Sequence, residues 1–395
     1  MKERIKNIIS NKKIFILLYF VIALLVSAQS LLLEPSINTE TGIEYNKYNN
    51  YTIFEKSFFH LGNNQDLYEL HLEEHFDLFK YTPTFSVFFG IFAVFPDWIG
   101  LSLWNLLNVF TLLFAIYYLP KLNSLEKGVI LIIVLIELIT SIQNAQSNAL
   151  IAGLLVFSFG LLENKKYLLA TLLIVFSVFI KLFGIVGLVL LIFYPGKWKL
   201  ALYTALWMIL LTIMPLMFVD IDQYIILIQS YWNMLSNDHS VSFGYSVMGF
   251  INVWFDIAIY RNIIVVIGAV ILLIPLCKIT EYKNFTIRYL TLASILIWVV
   301  IFNHKAESPT FIIAITGVAL WFVKSEKNIF NIILLIVAII LTSLSSTDLF
   351  PAYLRQEFIV PYSLKVLPCI LIWIKINYDI IVIKQDNTIN SPFSF

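Results

Sequence analysis

Apolar runs of about one bilayer thickness, closed at alternate ends by basic residues, leave this chain few folds to choose from. The amino end carries Lys2, Arg4, Lys6, Lys12 and Lys13 against Glu3, and by the positive-inside rule it is cytoplasmic. Residues 14–33 then read as one crossing at ~1.5 Å per residue. A cleavable signal peptide is the rival reading, because Val26-Ser27-Ala28 resembles a cleavage site. The apolar run continues through Leu31-Leu32-Leu33 beyond it, as an uncleaved anchor does. The clusters Lys121/Lys127, Lys165/Lys166, Lys197/Lys199, Lys278/Lys283/Arg288 and Lys324/Lys327 mark successive cytoplasmic turns. Only 13% of the residues are charged and 60% are hydrophobic, against about 25% charged in a soluble domain.

These features predict an all-α polytopic membrane protein with a bundle of about twelve transmembrane helices. The expectation is a single integral membrane domain over residues 1–395, in a cell membrane (plasma or inner), with both termini cytoplasmic. It divides into a first span at 14–33, an outer loop at 34–83, a hairpin core at 84–219 and carboxy-terminal spans at 220–376. Residues 84–95 are apolar but short, and Pro96-Asp97 ends them, so they predict a re-entrant segment. Outer segments fall at 220–261, 303–308 and 345–358. A net charge of +1 gives no reason to expect nucleic acid. Cys277 and Cys369 lie in or beside apolar runs, so no disulfide framework is expected. No zinc-type Cys/His spacing, phosphate-binding glycine loop or dinucleotide fingerprint is present, and no cofactor is predicted.

The outer loop is polar, aromatic and rich in carboxylates. Its aromatic residues recur at helical spacing and predict short interfacial helices. Below it, the chain turns at Asn144-Ala145-Gln146-Ser147-Asn148 and again at Lys181, and the arms of both hairpins are short for a full crossing. Their tips are therefore expected in one recess open to the outside. Lys181 either binds an anion there or snorkels, or pairs with Glu137, the other isolated charge in an apolar arm. Asn144, Gln146 and Asn148 are either turn and cap residues or donors to a hydroxyl-rich ligand. Asp66, Glu69, Glu73, Glu74 and Asp77 crowd the loop, mostly as a solvated face. Asp77, between Phe76 and Phe79 and near Lys80, is the candidate general base. His304, Lys305 and Glu307 form a charged cluster between two spans, and Arg355 is a further outer cation. Trp104, Trp232 and Trp254 read as belt and core residues.

Three pieces then resemble glycosyltransferase family 87, within the GT-C superfamily. Asp66-Leu67-Tyr68 followed by Phe79-Lys80-Tyr81-Thr82-Pro83 looks like the family's Leu-Tyr and Phe-x-Tyr-x-Pro signals. Asn144-Ala145-Gln146-Ser147-Asn148 is similar to its Asn-Gly-Gln-x-Asn motif, with Ala145 in the glycine place. Ile180-Lys181, an apolar arm and Gly196-Lys197-Trp198 look like its Ile-Lys and basic-Trp pattern. The resemblance implies a GT-C-like bundle and an inverting transferase. It would move a hexose, mannose-type, from a polyprenyl-phosphate donor to a glycan or glycolipid acceptor on the outer face. Residues 34–83 would be its catalytic loop. Members usually carry a catalytic Asp before the Leu-Tyr signal, and that position falls here at Asn50, which has no basic oxygen. The base is then expected at Asp77 or Glu44. Asp66, Tyr68, Lys80, Tyr81, Asn144, Gln146, Asn148, Lys181, His304, Lys305, Glu307 and Arg355 are the expected substrate contacts. A transporter or flippase of a lipid-linked sugar is the alternative, but the repeated halves such a fold shows are absent from the sequence.

Overall fold

Asn and Thr side chains set where the helices begin. The computed structural model describes residues 2–37, 42–237, 243–256 and 261–383; the expected outer segment at 220–261 and the carboxy end lie partly outside them. Following α1 (Lys2–Ile9), the Asn11 side chain accepts the Lys13 N–H and starts α2 (Lys12–Leu32). The sheet among the described residues is one antiparallel pair of two-residue strands, Ser36–Ile37 and Glu44–Tyr45. The outer loop then forms α3 (Asn49–Gly62), and α4 (Pro83–Ala93) starts at Thr82 with Pro83 in its first turn, where proline's fixed φ suits a helix.

The hairpin core comprises α5 (Asp97–Tyr118), α6 (Ser124–Gln143), α7 (Asn148–Glu163) and α8 (Tyr167–Ile180), followed by a 3₁₀ helix at Leu182–Phe193 and α9 (Lys197–Ile213). A full capping box of Asn123 and Glu126 starts α6. That helix has 20 residues, about 30 Å, and so exceeds the short arm expected of it. The other three arms have 16, 14 and 12 residues and are short as expected. The 3₁₀ arm rises about 2.0 Å per residue, which recovers some of the missing length. It folds back on α8 so closely that a Cβ at Gly184 would lie 2.6 Å from the Ser177 carbonyl oxygen; only glycine fits there.

Beyond these come α10 (Ile221–Asn237), α11 (Val247–Phe255), α12 (Arg261–Leu272), α13 (Phe285–Ile301), α14 (Phe311–Lys324), α15 (Ile329–Val337) with a π turn at Ala338–Ser343, and a final described helix at Leu367–Val382. The centre is built by α5 on α7, α13 on α14, α2 on α5 and α6 on α14. Large apolar side chains point outward: Leu17 and Leu25 are each 64% exposed, Leu202 67% and Met217 79%. In α9 only Leu200 is buried. A surface of this kind is stable only against hydrocarbon, and the chain is an all-α integral membrane protein.

Four helices among the described residues are long and apolar enough to cross a bilayer, at Lys12–Leu32, Asp97–Tyr118, Lys197–Met217 and Ile329–Ser346. The other apolar helices among the described residues are shorter, at 10–17 residues. The shortening follows from polar turns such as 144–148 and Lys181, which end the helices early. Helix α4 does not cross. It packs across α3, with Thr82 bound to the Phe179 carbonyl at one end and Asp97 bound to Tyr48 just past the other.

Opposite that end of the bundle, the basic turns meet acceptors. Lys324 binds Glu126 at 2.9 Å and the Lys121 carbonyl at 3.2 Å. Arg288 grips both Glu163 oxygens, at 2.6 and 2.8 Å. Glu137 does not meet Lys181; its partner is Lys365, at 2.9 Å, with side chains 0% and 1% exposed. Lys365 also donates to the Thr342 carbonyl at 2.7 Å, in the π turn, and to Ser346, so it supplies a hydrogen that the irregular helix lacks. Removing one member of such a pair costs about 3–5 kcal/mol, whereas replacing both with apolar groups is often neutral. Lys365→Met alone should therefore lower the thermal midpoint in detergent sharply, and Glu137→Leu with Lys365→Met should recover most of the loss. A double variant as unstable as the single one would show that the pair is not what fixes this contact.

Candidate functional site

The α6–α7 turn carries more polar contacts than any apolar packing could satisfy. Ala145 sits at φ 49°, left-handed backbone that glycine adopts freely and alanine at a cost. This conformation turns the carbonyls of Asn144 and Ala145 outward from both helices. The Asn50 amide of α3 donates to the first at 2.9 Å, and the Trp104 indole of α5 to the second at 2.8 Å. Trp104 is fully buried beneath Phe54, Phe85, Phe89 and Phe92, whose rings pack edge-on against it at 5.1–6.1 Å. An aromatic layer thus fixes the turn from below the outer loop.

Past Ala145 the side chains turn into the recess. Ser147 donates to the Tyr81 hydroxyl at 3.2 Å, and Asn148, fully buried, bonds Gln146. Gln146 donates to Glu307 at 3.0 Å. The Lys181 ammonium donates to the Asn148 side-chain amide oxygen Oδ1 at 3.1 Å and lies 5.3 Å from the centre of the Tyr81 ring, a cation–π distance. Lys181 itself is extended, φ −140°, at the break between α8 and the 3₁₀ arm. Tyr68 donates to the Tyr81 carbonyl at 2.9 Å. Hydrogen bonds and the Lys181–Tyr81 contact thus link Tyr68, Tyr81, Gln146, Asn148, Lys181 and Glu307. Asn144 is the exception among the amides: its side chain turns back to the Thr140 carbonyl at 2.8 Å, and only its backbone takes part.

At the rim, Lys80 binds both Asp77 oxygens, at 2.9 and 3.0 Å. Asp77 has φ 87° and its carboxylate also accepts the Leu78 N–H at 2.7 Å. Lys305 lies in the field of both groups: burial and then the Lys80 charge push its ammonium below the ordinary lysine range, and Asp77 opposes them. The loop 304–306 is held by Tyr245, whose N–H donates to the Ala306 carbonyl at 3.0 Å. Gly244, at φ 53°, lets the two strands of chain touch; a Cβ there would lie 2.9 Å from the His304 carbonyl oxygen. Arg355 donates to the Thr347 carbonyl at 3.3 Å and influences Tyr245 electrostatically, so it stands behind this loop.

Asp66 and Glu44 lie apart from the recess. Asp66 accepts the Ser230 hydroxyl and walls a cavity of about 370 Å³ with Tyr68, Leu78, Asn233, Met234 and Asn237. Glu44 is exposed, in the second short strand. A second, apolar cavity of about 160 Å³ is lined by Pro83, Phe179, Leu182, Met208, Ile228 and Trp232 among others.

Two groupings were missed in the sequence. Glu55 of α3 hydrogen-bonds Asp97, which also accepts the Tyr48 hydroxyl at 2.9 Å; nothing local links residues so far apart. His60, His71 and Glu74 form the other grouping, with ligating atoms all within 4.8 Å of one another. A signal for it did exist: His71, Glu74 and His75 are spaced to share one face of a single helical turn.

The model of Glycosyltransferase family 87 matches residues 79–303, more than half of the chain. That span takes in Lys80, Tyr81, the 144–148 turn and Lys181, and it starts after Glu44, Asn50, Asp66, Tyr68 and Asp77. No curated protein matches the chain.

The Glu55 carboxyl is pushed up to about 7, first by burial and then by the Asp97 charge. A proton held more tightly when folded contributes stability that is complete below the ordinary carboxylate range and is lost as pH rises through about 7. Thermal midpoints of detergent-purified protein at about pH 5 and about pH 8 should therefore differ less in Glu55→Gln than in the parent. Equal differences would remove Glu55 as a source of pH dependence.

Proposed function

The chain belongs to glycosyltransferase family 87, and on that premise we propose that it transfers a hexose, mannose-type, from a polyprenyl-phosphate donor to a glycan or glycolipid acceptor. Transfer takes place on the extracytoplasmic face of the cell membrane, with inversion at the anomeric carbon, and both termini are cytoplasmic. The single observation that carries this reading is Lys181, a cation held by the Asn148 side-chain oxygen and the Tyr81 ring, whose sequence neighbours Phe179 and Leu182 line an apolar cavity. A phosphate carried on a long isoprenoid chain has this shape, with an anion at one end of an oily tail.

The donor phosphate lies against Lys181 and its first isoprene units lie along Phe179, Leu182 and Trp232. The sugar faces the rim, where Asp77, Lys80 and Lys305 gather, and Gln146, Asn148 and Glu307 supply hydrogen bonds to its hydroxyls. The acceptor hydroxyl attacks the anomeric carbon as the bond from that carbon to phosphate oxygen breaks. Its proton passes to Asp77, and the charge that builds on the leaving phosphate is taken by Lys181 and Lys80. Lys80 binds Asp77, and its movement to the donor phosphate frees the carboxylate. Asn50 keeps a structural duty at the turn. The 370 Å³ cavity beside Asp66 is where the acceptor enters. Residues 1–395 act as one membrane domain.

Asp77→Asn should cut turnover by about 10²–10⁴-fold while sparing donor binding, read with radiolabelled polyprenyl-phosphate sugars. Full activity in Asp77→Asn together with loss in Glu44→Gln would move the base to Glu44. Lys181→Met should weaken donor binding by about 10–100-fold, the worth of one charge-assisted hydrogen bond; unchanged affinity would give Lys181 a structural role. Sidedness is read from an exposed position in the outer loop. A cysteine at the exposed Asn63, in a Cys277→Ser background, should react with an impermeant reagent in intact cells. Reaction only after lysis would invert the topology.

A further inference from the structure

The last turn of α3 buries His60, which is 4% exposed. The chain returns to it eleven residues later, at His71, as a single turn, with the Glu74 N–H on the His71 carbonyl at 2.9 Å and the His75 N–H on the same carbonyl at 3.1 Å. His60 Nε2 lies 2.7 Å from a Glu74 oxygen, and the rings of His60 and His71 are centred 4.0 Å apart. We propose that His60, His71 and Glu74 bind a zinc-class divalent cation that clamps the turn at 71–75 to α3, with water at the fourth, solvent-facing position.

The donor set is two imidazoles and one carboxylate, a set that suits Zn²⁺ and leaves one open site. Its atoms lie within 4.8 Å of one another, and neighbouring ligands around tetrahedral zinc are about 3.3 Å apart from bond lengths near 2.0–2.2 Å. Small side-chain rotations close that gap. The second shell is already in place. His71 Nε2 is 3.0 Å from the Asp66 carbonyl, so that nitrogen carries the proton and Nδ1 keeps its lone pair, as metal-binding histidines are usually oriented. His75, 3% exposed, packs beside both rings at 6.0 and 6.5 Å and donates Nδ1–H to the Asp77 carbonyl at 3.1 Å. A simple ion pair accounts for His60 and Glu74; it does not account for the second imidazole stacked against the first. The clamp is separate from any particular sugar donor. Its effect is on the loop: the turn runs directly into Asp77 and Lys80.

The test uses the full chain in detergent, with any polyhistidine tag removed and metal stripped by chelator. Zinc chloride titrated against a chromophoric competitor should reveal about one tight site per chain, and zinc should raise the thermal midpoint. His71→Ala and Glu74→Gln, both at solvent-accessible positions, should weaken that site by more than the ~10–100-fold that loss of an outer-shell partner costs, and zinc should no longer raise their midpoints. The Trp fluorescence and elution volume of both variants should match the parent. Mg²⁺, which prefers an all-oxygen octahedral shell, should not compete. Failure of the stripped parent protein to bind zinc, or unchanged zinc affinity in both folded variants, would overturn the proposal.

Discussion

Two carbonyl groups at the α6–α7 turn set the terms for the outer half of this protein. A turn at membrane depth leaves backbone oxygens without helical partners, and bare peptide groups are not tolerated in hydrocarbon. The donors come from separate places in the chain, Asn50 for the Asn144 carbonyl and Trp104 for that of Ala145. Meeting that requirement fixes α3 over the turn and α5 beside it, with the aromatic layer between them. The side chains that follow, Ser147 and Asn148, then reach Tyr81 and Lys181. The recess is thus a by-product of hydrogen-bond satisfaction as much as of shape.

Charge is distributed unevenly around it. Lys80 is paired with Asp77, Gln146 with Glu307, and Lys181 with the Asn148 side-chain oxygen. Lys305 is held below its ordinary range chiefly by burial, with Lys80 adding to the effect and Asp77 opposing it. Family membership makes the chain a glycosyltransferase.

Much of this could be read from the sequence because it depends on short-range rules. Lone polar groups in apolar runs mark turns, which located 144–148 and Lys181. Contacts made across long sequence separations were out of reach. Lys181 offers itself in the sequence as one possible partner of Glu137, but the partner is Lys365, 228 positions away. The imidazoles at His60 and His71 come from two segments, and spacing within one segment cannot report their stacking. Helix α6 was read too short because Glu126 and Lys127 look like loop residues, whereas Glu126 completes a cap. Asn50 illustrates a different limit. It stands where relatives usually carry an acid, and the structure gives it a backbone carbonyl to hold.

The bond between Glu137 and Lys365 joins residues 228 positions apart in the chain. Synthesis runs at about 5–20 residues per second, so on the order of ten to fifty seconds separate the two side chains at the ribosome. Through that interval α6 carries a carboxyl group in an apolar setting with no counter-charge. The growing protein must keep this helix near the insertion machinery, or let it slide toward the surface, until the last helix arrives. Completion of the bundle settles this charge: a chain that stops short of Lys365 keeps the Glu137 carboxyl without the cation it meets here.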